Sequence, residues 1–472
     1  MTTSFHPFVS WFQANGGSLN SEYIGLTTFP ASEGGRGAVA LRDIPESHTL
    51  FKIPRSLTLS TRTSPLPELF GGDAWRKKAP HGHGLDEGWT GLILCMMWEE
   101  ANAGKWAAYL ASLPSKFDTP MFWNEQDLAE LKGTSVVEKL GKEDAERDYR
   151  EKLLPVISSR KDLFPPHLIP FHYTLERYHI HGSRILSRSF CVEPAPSDAS
   201  DEPSGTTQNH DDAMDVDVPS DSQSHPAATR VHDNDGDLSV DQDDEDEEEE
   251  DIVSMVPMAD MLNARYGSEN AKLFYGANEL RMVTTKPIKA GEQIFNTYND
   301  LPNAELLRRY GHVDYLSLPA SLTQGSPNGS AALGNPGDVV ELRADLVLTA
   351  ANDRIYSTAA PPAQNVSAIA AESQRRIDWW LEMGGDDVFV LEPPSESLLP
   401  EDLVSLVRLL CDDDEWRKAQ DKEKPPKAKK DKVVLEVTKQ ALLKRQALYE
   451  GSLEVRCYCR GFSFRNLTIN VF

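Results

Sequence analysis

The chain has 472 residues, enough for two ordinary domains with insertions. Its formal net charge of −26 is concentrated between Glu193 and Asp251, where 22 acidic residues face one basic residue, Arg230. The remainder carries only −5 and has no apolar run near the ~18 residues that cross a bilayer, which excludes a helical membrane span and leaves nucleic acid no broad basic face.

Phe5 to Phe12 predicts a short amphipathic helix. The turn at Gly34–Gly37 leads into the alternating strand AVALRDI, and Thr49 to Ile53 reads as another strand. From Trp89 to Leu113 the pattern is helical: Leu92, Ile93, Met96 and Met97, then Trp106, Tyr109 and Leu110, recur at three- and four-residue intervals. Glu125–Leu140 and Glu143–Ser159 continue as helices, with Asn124 or Asp127 as the cap, and Phe171–Arg188 is the last helix before the acidic stretch. Residues 193–251, ending in DQDDEDEEEED, hold too little apolar surface to offset their ordering entropy, which predicts disorder. A solubilising spacer and an electrostatic lure for a basic partner both fit that composition.

Beyond it, Lys272–Tyr275 and Leu280–Thr285 predict a hairpin around Gly276-Ala277-Asn278. Gly291-Glu292 turns into QIFNTY, and Asn303–Tyr310 is helical. Leu318 to Gly337, rich in Pro, Gly and Ser, reads as a linker. Helices follow at Ser367–Met383, Glu401–Leu410 and Val433–Tyr449, around the basic run KEKPPKAKKDK at Lys422–Lys432. That run reads as a solvated loop or as a nuclear-import signal. Five cysteines (Cys95, Cys191, Cys411, Cys457, Cys459) lack CxxC spacing, which predicts a reduced intracellular protein without structural disulfides or metal. The start, MTTSFHPFVSWF, lacks the basic region and apolar run of a secretory signal.

The chemistry concentrates in Val256 to Gly311, VPMADMLNARYGSEN…ELRMVTTKPIKAGEQIFNTYNDLPNAELLRRYG. No metal pattern, Ser/His/Asp set or phosphate loop accompanies it. The work there rests on backbone groups, an amide and a phenol, which points away from hydrolysis and towards a transfer reaction dominated by alignment.

This stretch resembles the C-terminal half of a SET domain of the Rubisco large-subunit methyltransferase type, and within that group the fungal ribosomal lysine methyltransferases most. Three other segments share the likeness. They are Glu33-Gly34-Gly35-Arg36-Gly37-Ala38-Val39-Ala40 with Ile44-Pro45 and Ile53-Pro54-Arg55; KWAAYLASLP at Lys105–Pro114 with TPMFW at Thr119–Trp123; and Ser187-Arg188-Ser189-Phe190. The likeness is good over residues 5–320 and weak over 340–450.

The resemblance implies an α+β protein. A SET-type β fold with a pseudoknot would fill residues 1–320, with a helical insertion at 85–190 and the acidic insert at 193–251. An all-α substrate-binding domain would follow at 338–450, and an atypical tail at 451–472. It implies S-adenosylmethionine as cofactor and a basic protein as substrate: a ribosomal protein of the 60S subunit ahead of a histone, monomethylated on lysine by a monomer in the nucleus or cytoplasm. Neither nucleic acid nor membrane is an expected partner.

The likeness also assigns residues. Gly34, Gly35 and Arg36 would touch the cofactor; alone, they read as a hairpin turn. Asn263 has the donor and acceptor that an adenine edge needs, though a lone Asn is as readily a cap or turn residue. Ala264 follows it, where the family usually has His, and so raises the alternative of a catalytically weak SET protein that binds a partner. Arg188 and Phe190 would frame the cofactor and the substrate lysine. Tyr298 would meet the cofactor at the reacting centre, or else be a core tyrosine. Asp260, Tyr275 and Tyr310 would face the substrate; Asp260 also reads as a buried turn-capping carboxylate, and both tyrosines as core.

Loop-closure entropy grows slowly with length, so the acidic insert costs the fold little. Replacing residues 194–251 by a short Gly/Ser loop is expected to leave the circular-dichroism spectrum and methyl transfer intact, and loss of either would refute the spacer reading.

Overall fold

A computed structural model describes residues 5–30, 33–76, 82–86, 88–193, 252–297, 300–318, 333–359, 363–392 and 399–449. The acidic insert, most of the predicted linker and the 451–472 tail lie outside the described residues. The chain divides into two compact units. The first holds the described residues up to Phe122, then 141–193 and 252–300; the second holds Trp123–Leu140 and the described residues from Leu301 onward. The first unit ends at residue 300, and residues 123–140 of the expected helical insertion go with the second unit.

Nine strands of the first unit are described: β1 (Ser18–Leu19), β2 (Ile24–Thr28), β3 (Arg36–Ala40), β4 (Thr49–Pro54), β5 (Ser189–Val192), β6 (Ile252–Met255), β7 (Ala271–Tyr275), β8 (Glu279–Thr284) and β9 (Gln293–Ile294). They form antiparallel sheets in the orders β1-β4-β8-β7, β2-β3-β9 and β5-β6. Strand β8 shows why the pattern works. Leu280, Met282 and Thr284 are buried while Glu279, Arg281 and Val283 between them are partly open, the period of two that presents one face to a core. The predicted hairpin forms between β7 and β8, with Gly276 N–H donating to Glu279 O.

Asn263 pairs in parallel with Phe295, just beyond β9. The segment that leaves β6 therefore returns beside the strand that follows the β7–β8 hairpin. This is the threading expected of the pseudoknot.

The helical insertion packs around Thr90–Ala101. Leu92 to Met97 are all buried, so that helix is enclosed on every side rather than amphipathic. It packs against Leu175–Arg188, whose start is capped by the Thr174 hydroxyl accepting from Arg177 N–H. The predicted helix 143–159 contains a π-type turn at Tyr149–Leu153. Pro155 lies just beyond that turn and lacks the N–H that would continue the regular ladder.

In the second unit, Gly133 (φ +82°) breaks the predicted helix 125–140 into Glu125–Ala129, capped by Asn124, and Ser135–Glu138. The C-terminal part is helical as expected, with helices at Ala363–Glu382, Glu401–Cys411 and Lys432–Ala447. Two more, Ala344–Ala359 and Asp413–Lys422, went unread in the sequence, and two ribbons join them: β10 (Leu316–Ser317) with β11 (Leu333–Gly334), and β12 (Val340–Arg343) with β13 (Val388–Leu391). Leu342, Val347, Trp380, Leu403, Val407, Trp416 and Val437 share one core there.

Candidate functional site

Asn263 is the junction of the site. Its carbonyl accepts from Asn296 N–H at 2.9 Å, and its side-chain Nδ2 donates to Gln293 Oε1 at 2.7 Å. Gln293 in turn donates through Nε2 to Glu33 O at 3.1 Å. The amide thereby lies against the Gly-rich turn. A Cβ on Gly34 would stand 2.6 Å from Asn263 Nδ2, and one on Gly37 would stand 2.7 Å from it. Gly34 also has φ +94°, so glycine is demanded there by backbone conformation as well as by space.

A second layer is charged. Arg188, ending the helix Leu175–Arg188, donates through Nη1 to Asp260 O at 2.5 Å. Arg36, opening β3, donates through Nη1 to Ser112 O at 2.6 Å, at the end of the helix Ala107–Ser112. Burial lowers the Arg36 pKa, and the neighbouring Arg188 lowers it further. Asp260 lies in the turn Ala259–Met261 and is 1% exposed. Its Oδ2 accepts from the Tyr109 hydroxyl at 2.8 Å. Burial pushes its carboxyl up to about 6, against the opposing pull of Arg188, the Tyr109 hydrogen bond and Arg36. Among the described residues, Asp260 Oδ1 and Arg188 Nε are buried without hydrogen-bond partners. Met258, just before the turn, has φ +79°, ψ −42°, a costly conformation for a non-glycine that survives only where its surroundings impose it.

Of the expected site residues, Gly34, Arg36, Arg188, Asp260 and Asn263 are thus connected, with Gly35 (φ +70°) inside the same turn. Tyr298 lies outside the described residues; Asn296, two positions earlier, is bonded to Asn263. Ala264 is half-buried directly after Asn263. Asp260, expected on the substrate side, is buried against Tyr109. Phe190 is buried in β5 opposite Ser254. Tyr275 ends β7 beside Arg55, four residues from the end of the strand that meets Phe295 and about 13 Å along it. Tyr310 ends the helix Asn303–Tyr310 of the second unit, its ring 5.9 Å from that of His312.

Two participants were not singled out as site residues from the sequence. Gln293 is a polar side chain opening the short strand β9, and only its partner across the fold gives it a role. Tyr109 is one of several apolar repeats in the sequence, and nothing in that spacing foretells its hydroxyl meeting Asp260. The assembled site offers an amide edge, a turn that admits close approach, and an unpaired buried donor and acceptor. That inventory suits a ligand carrying charges of both signs.

Residues 35–299 match the family model of the SET domain. Over 313 residues the chain is 30% identical to ribosomal lysine N-methyltransferase 4 of Saccharomyces cerevisiae, covering 65% of this chain and 55% of the relative. It is 29% identical to N-lysine methyltransferase setd6 of Xenopus laevis, covering 65% and 56%. These alignments span about half the length of the relatives. A structure of Rubisco LSMT bound to AdoMet superposes with a TM-score of 0.57 at 17% identity, over 98% of this chain and 86% of that one. That likeness shows the fold.

The raised carboxyl of Asp260 has a consequence for stability. Because the folded-state pKa is above the ordinary 3.8, the group favours folding below that value and this contribution is lost as pH rises through about 6. Asp260→Asn should therefore melt with the wild type near pH 4 and above it at pH 7.5, by up to about 3 kcal/mol for a shift of this size. Thermal unfolding followed across that range is the check.

Proposed function

The chain belongs to the SET-domain family, and on that premise we propose that it is an S-adenosylmethionine-dependent protein-lysine N-methyltransferase. One observation carries this reading: Asn263 closes on Gly34 and Gly37 while its carbonyl holds Asn296, two residues ahead of Tyr298. The residues present fit the cofactor. The turn is open at Gly35, where a Cβ would meet nothing within 4 Å, with the Asn263 amide packed on its neighbours Gly34 and Gly37, and the unpaired Arg188 Nε and Asp260 Oδ1 suit a zwitterion that also bears a sulfonium. Gly34, Gly35, Arg36, Asn263 and the Ala264 backbone would hold it, with Arg188 and Phe190 at its substrate-side edge. When bound, S-adenosylmethionine supplies a methyl group on a positively charged sulfur.

The chain's own residues then have to do three things. They must favour a neutral lysine amine, whose ordinary pKa is near 10.4, and a dry aromatic passage lowers it. By the resemblance, Tyr275 and Tyr310 are each candidate substrate contacts, the first in the first unit and the second in the second, with Asp260 acting from behind Arg188. They must hold the amine in line with the bond to be broken, which is the larger part of the rate. They must stabilise charge as it moves, and Tyr298 is assigned to this: its phenol orients the amine and polarises the centre without accepting the proton, which leaves to water.

The substrate we propose is a lysine of a basic ribosomal protein of the 60S subunit, monomethylated by a single copy of the chain, with a histone as the competing substrate. The name of the Saccharomyces cerevisiae relative supports this choice. Ala264, in place of the usual His, favours a second reading, a SET protein that binds a partner and transfers little. Purified protein incubated with labelled S-adenosylmethionine and ribosomal proteins separates the two. Transfer is expected, and Tyr298→Phe should lower kcat about 100-fold while leaving cofactor affinity nearly unchanged. Asn263→Ala should instead weaken cofactor binding. Absence of transfer by the wild type would leave only the binding reading.

We further propose that the protein works in the nucleus. Lys422 at the end of the helix Asp413–Lys422, and Lys424, Lys427, Lys429 and Lys430 on the loop after it, are all exposed, and that loop is tied down where Pro426 O accepts from Ser405 Oγ at 2.7 Å. A reporter carrying residues 422–432 should become nuclear, and one that stays cytoplasmic ends the import reading.

A further inference from the structure

The short helix Ala107–Ser112 meets the candidate site at two points, Arg36 and Asp260. Its last carbonyl group receives Arg36. Tyr109, 0% exposed, spans to Asp260. From the other side the N-terminal helix His6–Ala14 backs the ring: Trp11 stacks on Tyr109 with centroids 5.9 Å apart at 13°, and Phe8 lies 6.2 Å away. Trp11 is itself fixed by its indole N–H donating to Lys105 O at 2.8 Å. The ring is enclosed, and among the described residues its hydroxyl donates to Asp260 Oδ2 at 2.8 Å.

Asp260 needs that bond for a geometric reason. It sits two residues after Met258, whose positive φ must be imposed from outside, and three before Asn263, whose amide has to reach the Gly34–Gly37 turn. Two grips from the helical insertion hold this turn: Arg188 on the Asp260 carbonyl and Tyr109 on its carboxylate. Phenylalanine would fill the same space and release one of them.

We propose that Tyr109 is a positioning residue of the site: its hydroxyl, through Asp260, holds the Met258–Met261 turn and with it the reach of Asn263 and the direction of Arg188. The proposal rests on the methyltransferase reading above, because the group being positioned for is the cofactor. The groups that face Asp260 are Tyr109 from the helix Ala107–Ser112, Arg188 from the end of Leu175–Arg188, and Arg36 from β3; Arg184, one turn before Arg188, faces Tyr109. Of these, the Tyr109 hydrogen bond, Arg188 and Arg36 favour the ionised carboxylate. Removing the hydroxyl removes one such support, so Asp260 should protonate at a higher pH and loosen its hold on Arg188.

The test is calorimetric binding of S-adenosylmethionine to the full chain between pH 5 and 8.5, a readout free of the substrate lysine's own titration. Wild-type affinity should fall as pH drops through the region where Asp260 protonates. Tyr109→Phe should bind about tenfold more weakly at pH 7.5, with the fall displaced to higher pH by about one unit, while its circular dichroism stays native. Asp260→Asn should abolish the pH dependence. It also serves if Tyr109→Phe does not fold, since a persisting acid fall in Asp260→Asn removes Asp260 from the scheme and overturns the proposal. Equal affinity and an unmoved pH profile in folded Tyr109→Phe would likewise overturn it. A wild type that binds no S-adenosylmethionine at any pH would instead overturn the methyltransferase reading on which it rests.

Discussion

The site depends on one close approach. The Asn263 amide lies where a Cβ of residue 34 or 37 would be, so two glycines in β3 and its preceding turn are fixed by a side chain more than 200 residues away in sequence. Packed matter does not yield gradually to such an overlap. The consequence spreads through hydrogen bonds: Gln293 is oriented by the same amide, and Asn296 by the same residue's carbonyl. The parallel pairing of Asn263 with Phe295 and the antiparallel pairing of β3 with β9 are two sides of that lock.

Behind the lock stands a structure that accepts a cost to keep it. Asp260 is almost wholly buried, one of its oxygens lacks a partner among the described residues, and the turn before it holds Met258 at positive φ. Each feature is unfavourable in isolation. Together they keep a carboxylate beside Arg36 and Arg188 and aim a short loop at the glycines. The insertion supplies the counterweight, since its central helix is enclosed on all sides and its last helix delivers Arg188 at its C-terminal end. A further polar cluster, Glu100 with Arg177, His181 and Arg184, joins these two helices. Burial drives the His181 pKa down to about 4, so that imidazole is neutral at ordinary pH.

Local signals were legible wherever the responsible groups are near in sequence. The β7–β8 hairpin follows from alternation around Gly276-Ala277-Asn278. The helix Asn303–Tyr310 follows from its spacing, and Asn124 does act as the cap proposed for it. Failures came where a local rule met a conflicting residue. Gly133 divided one predicted helix and a π-type turn near Pro155 interrupted another. The helix Ala344–Ala359 was missed because its apolar residues are spread among alanines and polar groups, and only the surrounding core makes its buried face recognisable.

The candidate site divides in the same way. The amino-acid order by itself determined the Gly34–Gly37 turn and the local strands and helices around it, and through its resemblance to a known family it also pointed to the type of fold and to Asn263. Which side chain reaches Asn263, what buries Asp260, and why Tyr109 is a tyrosine and not another core aromatic were decided only in three dimensions. Each depends on a hydrogen bond or an overlap between segments separated by 30 to 260 residues. Hydrophobic periodicity records which face of an element is buried; it holds no record of the partner that face will meet.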